Sequence, residues 1–361
     1  MASNERKVYR VLCIEGGGMR GIYSAAYLES LLTSYEKARK IGRIDLGKAF
    51  DLIAATSTGA IVGSALALGV PLDRVVRLYR TYGPQIFPEK LTGTLINAIS
   101  QVLRRSGLNA RGAAARERAL DEALGAVTLS DVWSKRGIAL AIPAVEMSSY
   151  RPWIFKTAHL PGSKDRDGNF TLVEVCMATS AAPIYRSLYR VRNPDGDGEF
   201  TFVDGGLWAN NPILVGFIEA LAMTSSEDRI ELFCLGTCSA PVGDQITRAQ
   251  VDRGLLEWKF GAEIPGVSIS SQRYSYDNMV RMLAKHVDRD VAIIRFPAGD
   301  VPPSLQAYLS LDETSPVALD ALVTHAQTDS YLALSLADAS GNPVGQLIDL
   351  LVRTAPESNS G

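Results

Sequence analysis

Phe50-Asp51-Leu52-Ile53-Ala54-Ala55-Thr56-Ser57-Thr58-Gly59-Ala60-Ile61-Val62-Gly63 reads as a short apolar strand that passes through a sharp turn into a helix of small residues. Ser57 sits at the turn. A serine held between a buried strand and a helix start presents its hydroxyl outward, in a bend that needs small neighbours on both sides, which is the logic of the G-x-S-x-G nucleophile elbow. Here the five residues are Ala55-Thr56-Ser57-Thr58-Gly59. Alanine stands at the first glycine position, so the bend must tolerate a methyl group there. The plainer reading, a serine that caps the helix, fits the pentapeptide as well.

Two further stretches bear on that choice. Val11-Leu12-Cys13-Ile14-Glu15-Gly16-Gly17-Gly18-Met19-Arg20-Gly21-Ile22 reads as an apolar strand, a triple-glycine turn and the start of a helix with Tyr27, Leu28, Leu31 and Leu32 at helical spacing. Consecutive glycines before a helix expose backbone N–H groups at its positive end, so the turn can hold an anion. Phe200-Thr201-Phe202-Val203-Asp204-Gly205-Gly206 is a strand that ends in an acid and two glycines.

A glycine turn, a serine elbow and an Asp-Gly-Gly loop, in that order, resemble the patatin-like phospholipase family. The resemblance extends to Ala178-Thr179-Ser180-Ala181-Ala182-Pro183, to Asn210-Asn211-Pro212, to Leu235-Gly236-Thr237, and to Ser271-Gln272 with Tyr276-Asp277. Two positions depart from it: Glu15 stands where the family usually has Asp, and Ala55 where it usually has Gly. The resemblance implies an α/β fold, a three-layer α/β/α sandwich with a mainly parallel central sheet and additional helices. One domain over 1–361 is expected, with the catalytic motifs within 11–240, a mainly helical part over 241–350 and a polar, flexible tail over 354–361.

The same resemblance implies a serine lipid acyl hydrolase that cleaves phospholipid esters. Ser57 would be the nucleophile, Asp204 its base, and Gly16, Gly17 and Gly18 the oxyanion hole, with Arg20 holding the glycine loop in shape. Gly59 would support the elbow, and Gly205 and Gly206 the Asp loop. Residues 57 and 204 lie far apart, and nothing in their spacing brings them together. A Ser-His-Asp triad would need one of His159, His286 and His325, none of which lies in a glycine-rich loop. Asp204 suits a two-residue version of the same chemistry.

Composition bounds the rest. The 361 residues are 47% hydrophobic and 21% charged, with a net charge of −2, so no global attraction to nucleic acid polymer or anionic membrane is implied. Cys13, Cys176, Cys234 and Cys238 read as free thiols in a reducing compartment. The four-residue spacing of Cys234 and Cys238 lacks a second ligand pair, so neither a metal nor a cofactor is expected. Asn193-Pro194-Asp195-Gly196-Asp197-Gly198 lacks the later glutamate of a calcium loop and reads as a hairpin turn. Charges at the N-terminus precede no apolar run, and the apolar stretch from Ile53 to Val70 is better read as strand, turn and helix than as a membrane span, so a cytoplasmic protein is expected.

Along the chain, strands are expected over 8–14, 50–54, 138–145, 151–155 and 230–235, the last taken as a last parallel-type strand, with one strand-like segment over 291–296 in the mainly helical part that follows. Helices are expected over 22–40, 58–69, 71–82, 173–180 and 212–223, with Pro84 breaking the third. Alternating strands and helices predict right-handed crossovers. Residues 90–127 read as a helical insertion or a lid, in which an amphipathic helix with Leu91, Leu95, Ile99, Val102 and Leu103 is followed by a basic cluster at Arg104, Arg105, Arg111, Arg116 and Arg118.

A finer resemblance is to bacterial anti-phage phospholipase effectors that a cyclic di- or oligonucleotide switches on. It implies a gated enzyme, a homo-oligomer that meets membrane phospholipid peripherally at the inner surface, with the activator site left open between the arginine cluster and Arg273 with Arg281. Two alternatives stand beside it: a constitutive lipid acyl hydrolase, and a phosphate- or nucleotide-binding protein using the glycine turn. That turn matches neither G-x-G-x-x-G spacing nor a P-loop.

Overall fold

The structure, a computed structural model, describes residues 7–86, 111–162, 164–183, 185–238, 246–248, 251–254, 258, 264–297 and 301–337. An eight-stranded sheet forms its centre. The strands are β1 (Val8–Ile14), β2 (Leu52–Ala55), β3 (Ala139–Glu146), β4 (Arg151–Lys156), β5 (Tyr189–Arg192), β6 (Glu199–Asp204), β7 (Arg229–Leu235) and β8 (Asp290–Phe296). Their order is β5-β6-β3-β2-β1-β7-β8, with β4 paired to β3. The run β3-β2-β1-β7-β8 is parallel throughout, and β4, β5 and β6 are antiparallel additions.

The inner strands are apolar on both faces because helices cover both. On β1, Leu12 and Ile14 enter one core while Val11 and Cys13 enter the other; β2 does the same with Ile53 and Ala55 against Leu52 and Ala54. The first core takes α1 (Gly21–Arg39), α2 (Thr58–Leu68), α3 (Leu72–Ile86), α4 (described over 111–124), α5 (Leu129–Arg136) and α6 (Leu172–Thr179). It also takes part of α10 (Pro316–Ala337), whose Leu319, Leu322 and Ala326 are buried there. The second core is closed by α8 (Ile213–Met223), with α7 (Gly206–Ala209) and α9 (Ile264–Leu283) beside it. The result is the expected three-layer α/β/α sandwich.

The differences from expectation are local. Pro84 lies inside α3, which continues to Ile86, so the proline does not end that helix. β7 is not the last parallel strand, because the strand-like segment expected over 291–296 is β8, which pairs with it in parallel from Arg229↔Asp290 to Leu235↔Phe296. Leu91 to Leu103, Arg104, Arg105 and the 354–361 tail lie outside the described residues. Among the described residues no helix is long and apolar enough to cross a membrane.

One feature of the register positions the site. β4 pairs with β3 from Ala141 to Glu146, so β2 and β6 must share the opposite edge of β3. β2 runs parallel to β3 and reaches Ala54 opposite Ala141, while β6 runs antiparallel and ends with Asp204 opposite Ala144. The two strands therefore point at each other, end to end, three residues apart along β3, or roughly 10 Å at strand rise.

Candidate active site

Ser57 follows β2 at φ 54° and ψ −129°, a left-handed conformation that a non-glycine residue holds only when its surroundings impose it. The imposing contacts are visible. Thr56 N donates to Ile14 O (3.1 Å) and Thr56 Oγ1 to Ala209 O (2.6 Å), while Ser57 N donates to Thr179 Oγ1 (2.9 Å). The hydroxyl makes no cap on α2. It donates instead to Asp204 Oδ2 at 2.7 Å, so the capping alternative gives way to a serine–aspartate pair.

Gly59 shows why the elbow needs small residues. A Cβ there would lie 2.5 Å from Glu15 O and 2.7 Å from Ile14 O, so the turn packs directly on the end of β1. Ala55 is accommodated one turn further on, since a Cβ on Gly63 would lie 3.0 Å from the Ala55 methyl.

Asp204 is held from its other side. Gly206 N donates to Oδ1 at 2.6 Å, and Asp204 N donates to Ala181 O at 3.1 Å. Gly205 presses so closely on the Pro143 carbonyl that a side chain has no room. Burial of the carboxyl raises its pKa above the ordinary aspartate value, while the Gly206 amide, the Ser57 hydroxyl and the charges of Arg186 and Arg116 pull the other way. A buried carboxylate with a raised pKa is a stronger base than an exposed one.

The glycine turn forms the opposite wall. Gly16 N donates to Asn210 O (3.0 Å), so its amide is committed inside the protein, which corrects the expectation of three glycine donors. Gly17 N has only a long contact with Thr58 Oγ1 (3.3 Å), and Gly18, at φ +58°, lines the cavity beside Ser57. Arg20 is buried and its Nε donates to Gly17 O at 3.3 Å. Its guanidinium thus braces the turn rather than facing the cavity.

Three residues outside the expected set hold these loops together. Thr179, besides receiving Ser57 N, donates from Oγ1 to Pro143 O (2.5 Å), tying the elbow to β3 at the point between Ser57 and Asp204. Asn210 Nδ2 and Thr237 Oγ1 both donate to Gly16 O at 3.2 Å. Each lay in a quoted motif, but hydroxyl and amide braces have no spacing signature.

The histidines are engaged elsewhere. The His159 ring sits between Thr157 Oγ1 (2.8 Å) and Glu219 Oε2 (3.3 Å), His325 lies 3.3 Å from Asp329, and none of the three lines the cavity. Of the basic cluster, Arg111 and Arg118 are exposed but Arg116 is 2% exposed, with Nη1 donating to Ser180 O at 2.7 Å. It belongs to the support of the site and not to a surface patch, because α4 turns that face toward the core.

Above Ser57 and Asp204 opens a cavity of about 80 Å³ lined mainly by apolar groups, among them Ala182, Pro183, Leu207, Ile269 and Leu311. It has room for the reacting end of a larger ligand and not for the whole of one. A serine hydroxyl bonded to a buried carboxylate, a glycine turn on the cavity wall and an apolar trough together suit acyl transfer from a lipid-like ester.

Comparison with known proteins agrees with that chemistry. The profile of the patatin-like phospholipases matches residues 12–217. A cGAMP-activated phospholipase of Pseudomonas aeruginosa is 31% identical over 281 residues, covering 76% of this chain and 74% of its own. A cGAMP-activated phospholipase of Escherichia coli is 28% identical over 345 residues, covering 90% and 86%. Patatin-like protein 1 of Oryza sativa subsp. indica is 30% identical over 278 residues, covering 69% and 63%.

Proposed function

This chain belongs to the patatin-like phospholipase family and is a carboxylic ester hydrolase of that kind, and from that premise we propose that it cleaves phospholipid esters through Ser57 and Asp204. The observation that carries the reading is the 2.7 Å hydrogen bond from Ser57 Oγ to Asp204 Oδ2 at a strained elbow under an apolar cavity.

The reaction then runs in two halves. Ser57 Oγ attacks the ester carbonyl carbon as its proton passes to Asp204 Oδ2. The carbonyl oxygen becomes an oxyanion facing the Gly17 and Gly18 amides. Collapse breaks the C–O bond, and the leaving alcohol, a lysophospholipid, takes the proton from Asp204. Water activated by the same carboxylate attacks the acyl-serine, and the fatty acid leaves as Ser57 recovers its proton. Arg20 keeps the Gly17 carbonyl turned away so that the amides stay toward the cavity.

Regulation is the second part of the proposal. The names of the bacterial relatives, cGAMP-activated phospholipase, support a cyclic dinucleotide as activator here too; a membrane-degrading effector in anti-phage defence is the role that the sequence resemblance adds to this proposal. The enzyme would meet phospholipid peripherally at the inner membrane surface and assemble as a homo-oligomer. The phosphate-cradle alternative loses its support, since the Gly16 amide already has a protein acceptor and the turn has no phosphate-binding spacing.

The test is fatty-acid release from liposomes by the parent, Ser57→Ala and Asp204→Ala, with and without cyclic di- and trinucleotides. Loss of release in both folded variants is expected, and full activity in either ends the pair. High release from the parent that no nucleotide alters leaves a constitutive hydrolase.

A further inference from the structure

The cavity over Ser57 is apolar except at one place. Among the described residues that line it, Asp204 and Arg186 are the two that carry charge, and Asp204 is committed to Ser57 and Gly206. Arg186 follows the Ala181-Ala182-Pro183 stretch at the end of α6, and its Nη1 donates to Ser180 O at 3.1 Å. The neighbouring carbonyl, Ala181 O, receives Asp204 N. Arg186 is thus anchored one residue from the anchor of the base.

A second arginine shows that bracing this segment does not require Arg186. Arg116, closed off behind the cavity, already donates to Ser180 O at 2.7 Å and to Met177 Sδ at 3.0 Å. Arg186 differs from it by opening on the cavity. Burial in apolar surroundings lowers its pKa to about 10, so the cation is held at a cost that a second anion would offset. A guanidinium has five N–H donors in a fork that matches phosphate oxygens, so one group can hold a carbonyl and a phosphate together.

We propose that Arg186 binds the phosphodiester of the substrate's head group while the acyl ester lies at Ser57, making it the residue that selects phospholipid over neutral glyceride. In a glycerophospholipid only a few bonds separate the reacting ester from phosphorus, which suits a cation beside the base. The inference rests on the phospholipase reading above and adds to it the group by which the substrate is recognised.

The test compares kcat/KM for a phospholipid and for diacylglycerol of the same acyl chains, in mixed micelles with and without the same cyclic di- and trinucleotides, for the parent, R186Q and R186K. The expected result is a fall of about tenfold or more in the ratio of the two for R186Q, carried by KM, with R186K falling between because it keeps charge without the fork. Glycerophosphocholine should inhibit diacylglycerol hydrolysis by the parent and not by R186Q. An arginine that only tunes Asp204 would slow both substrates together and move the acid limb of both pH profiles, leaving the ratio unchanged. An unchanged ratio in either folded variant, or a parent with no preference for phospholipid, overturns the proposal while leaving the Ser57–Asp204 reading in place. A parent that hydrolyses neither substrate with any of these nucleotides present removes the phospholipase mechanism and this subsite with it.

Discussion

At the scale of single residues, Asp204 carries two opposed demands. Its burial raises its pKa, so as the proposed base it would accept the Ser57 proton more readily, with the carboxylate as the active form. Turnover should therefore fail on the acid side as pH drops through a value above that of an ordinary aspartate, which a pH profile of kcat/KM on a soluble ester would show. The stability sign is opposite to that of a salt-bridged aspartate. A folded pKa above the unfolded one means that its stabilising contribution is present at low pH and lost as pH rises through the folded value. Asp204→Asn should then be inactive yet melt at or above the parent's temperature at neutral pH; a clearly lower Tm contradicts that account. Gly17 gives a second prediction. A side chain there would meet Thr237 Oγ1 at 2.5 Å, so Gly17→Val must displace the turn, and kcat should fall by about 10²-fold or more with a smaller change in KM.

At the scale of elements, the site is an assembly of strand ends held by side-chain hydrogen bonds. The end of α6 is central, since Thr179 joins Ser57 N to Pro143 O, and Gly205 N donates to Thr179 O at 3.1 Å. Thr179→Val keeps the shape but leaves a buried donor and a buried acceptor unpaired, at about 1–3 kcal/mol for each. Urea denaturation should show a loss in that range, together with reduced kcat. The C-terminal elements brace the other side. Arg295 on β8 bonds Glu15 Oε1 (2.5 Å) and Asp277 of α9, and Asp277 Oδ1 accepts Asn211 Nδ2 at 2.8 Å. Glu15 lies immediately before the glycine turn and Asn211 immediately after Asn210, so this chain of contacts links both loops through residues beyond the 12–217 match. The longer side chain at position 15 is the one that reaches Arg295. Glu15→Gln should lower Tm and kcat together, and an unchanged kcat would show the turn to be independent of β8.

At the scale of the whole molecule, restraint is the open matter: the proposed cyclic dinucleotide must bind an active form better than an inactive one, and moving a population from 1:99 to 99:1 needs about 5.5 kcal/mol of differential binding. Sizing and fatty-acid release measured on the same samples, with and without the nucleotide, should change together; release that rises with no change in assembly would remove oligomerisation from the scheme. Much of this molecule is legible from sequence by itself. Apolar runs such as Ile138–Val145 and the strand-turn-helix at Ser57 specify their own local structure, because a strand buried on both faces and a bend between small residues each need a particular composition. β8 is legible as a strand at 291–296 but not as a member of the parallel sheet, since that depends on finding β7 already in place. The meeting of Ser57 with Asp204 belongs to tertiary structure alone. It follows from β2 and β6 sharing one edge of β3 and running toward each other, and strand pairing between distant segments leaves no trace in the spacing of either. The same holds for the two arginines. Arg116 and Arg186 look alike as sequence, and only the packing of α4 and the end of α6 closes one behind the wall of the cavity and opens the other into it, because burial is a property of neighbours the chain supplies from elsewhere.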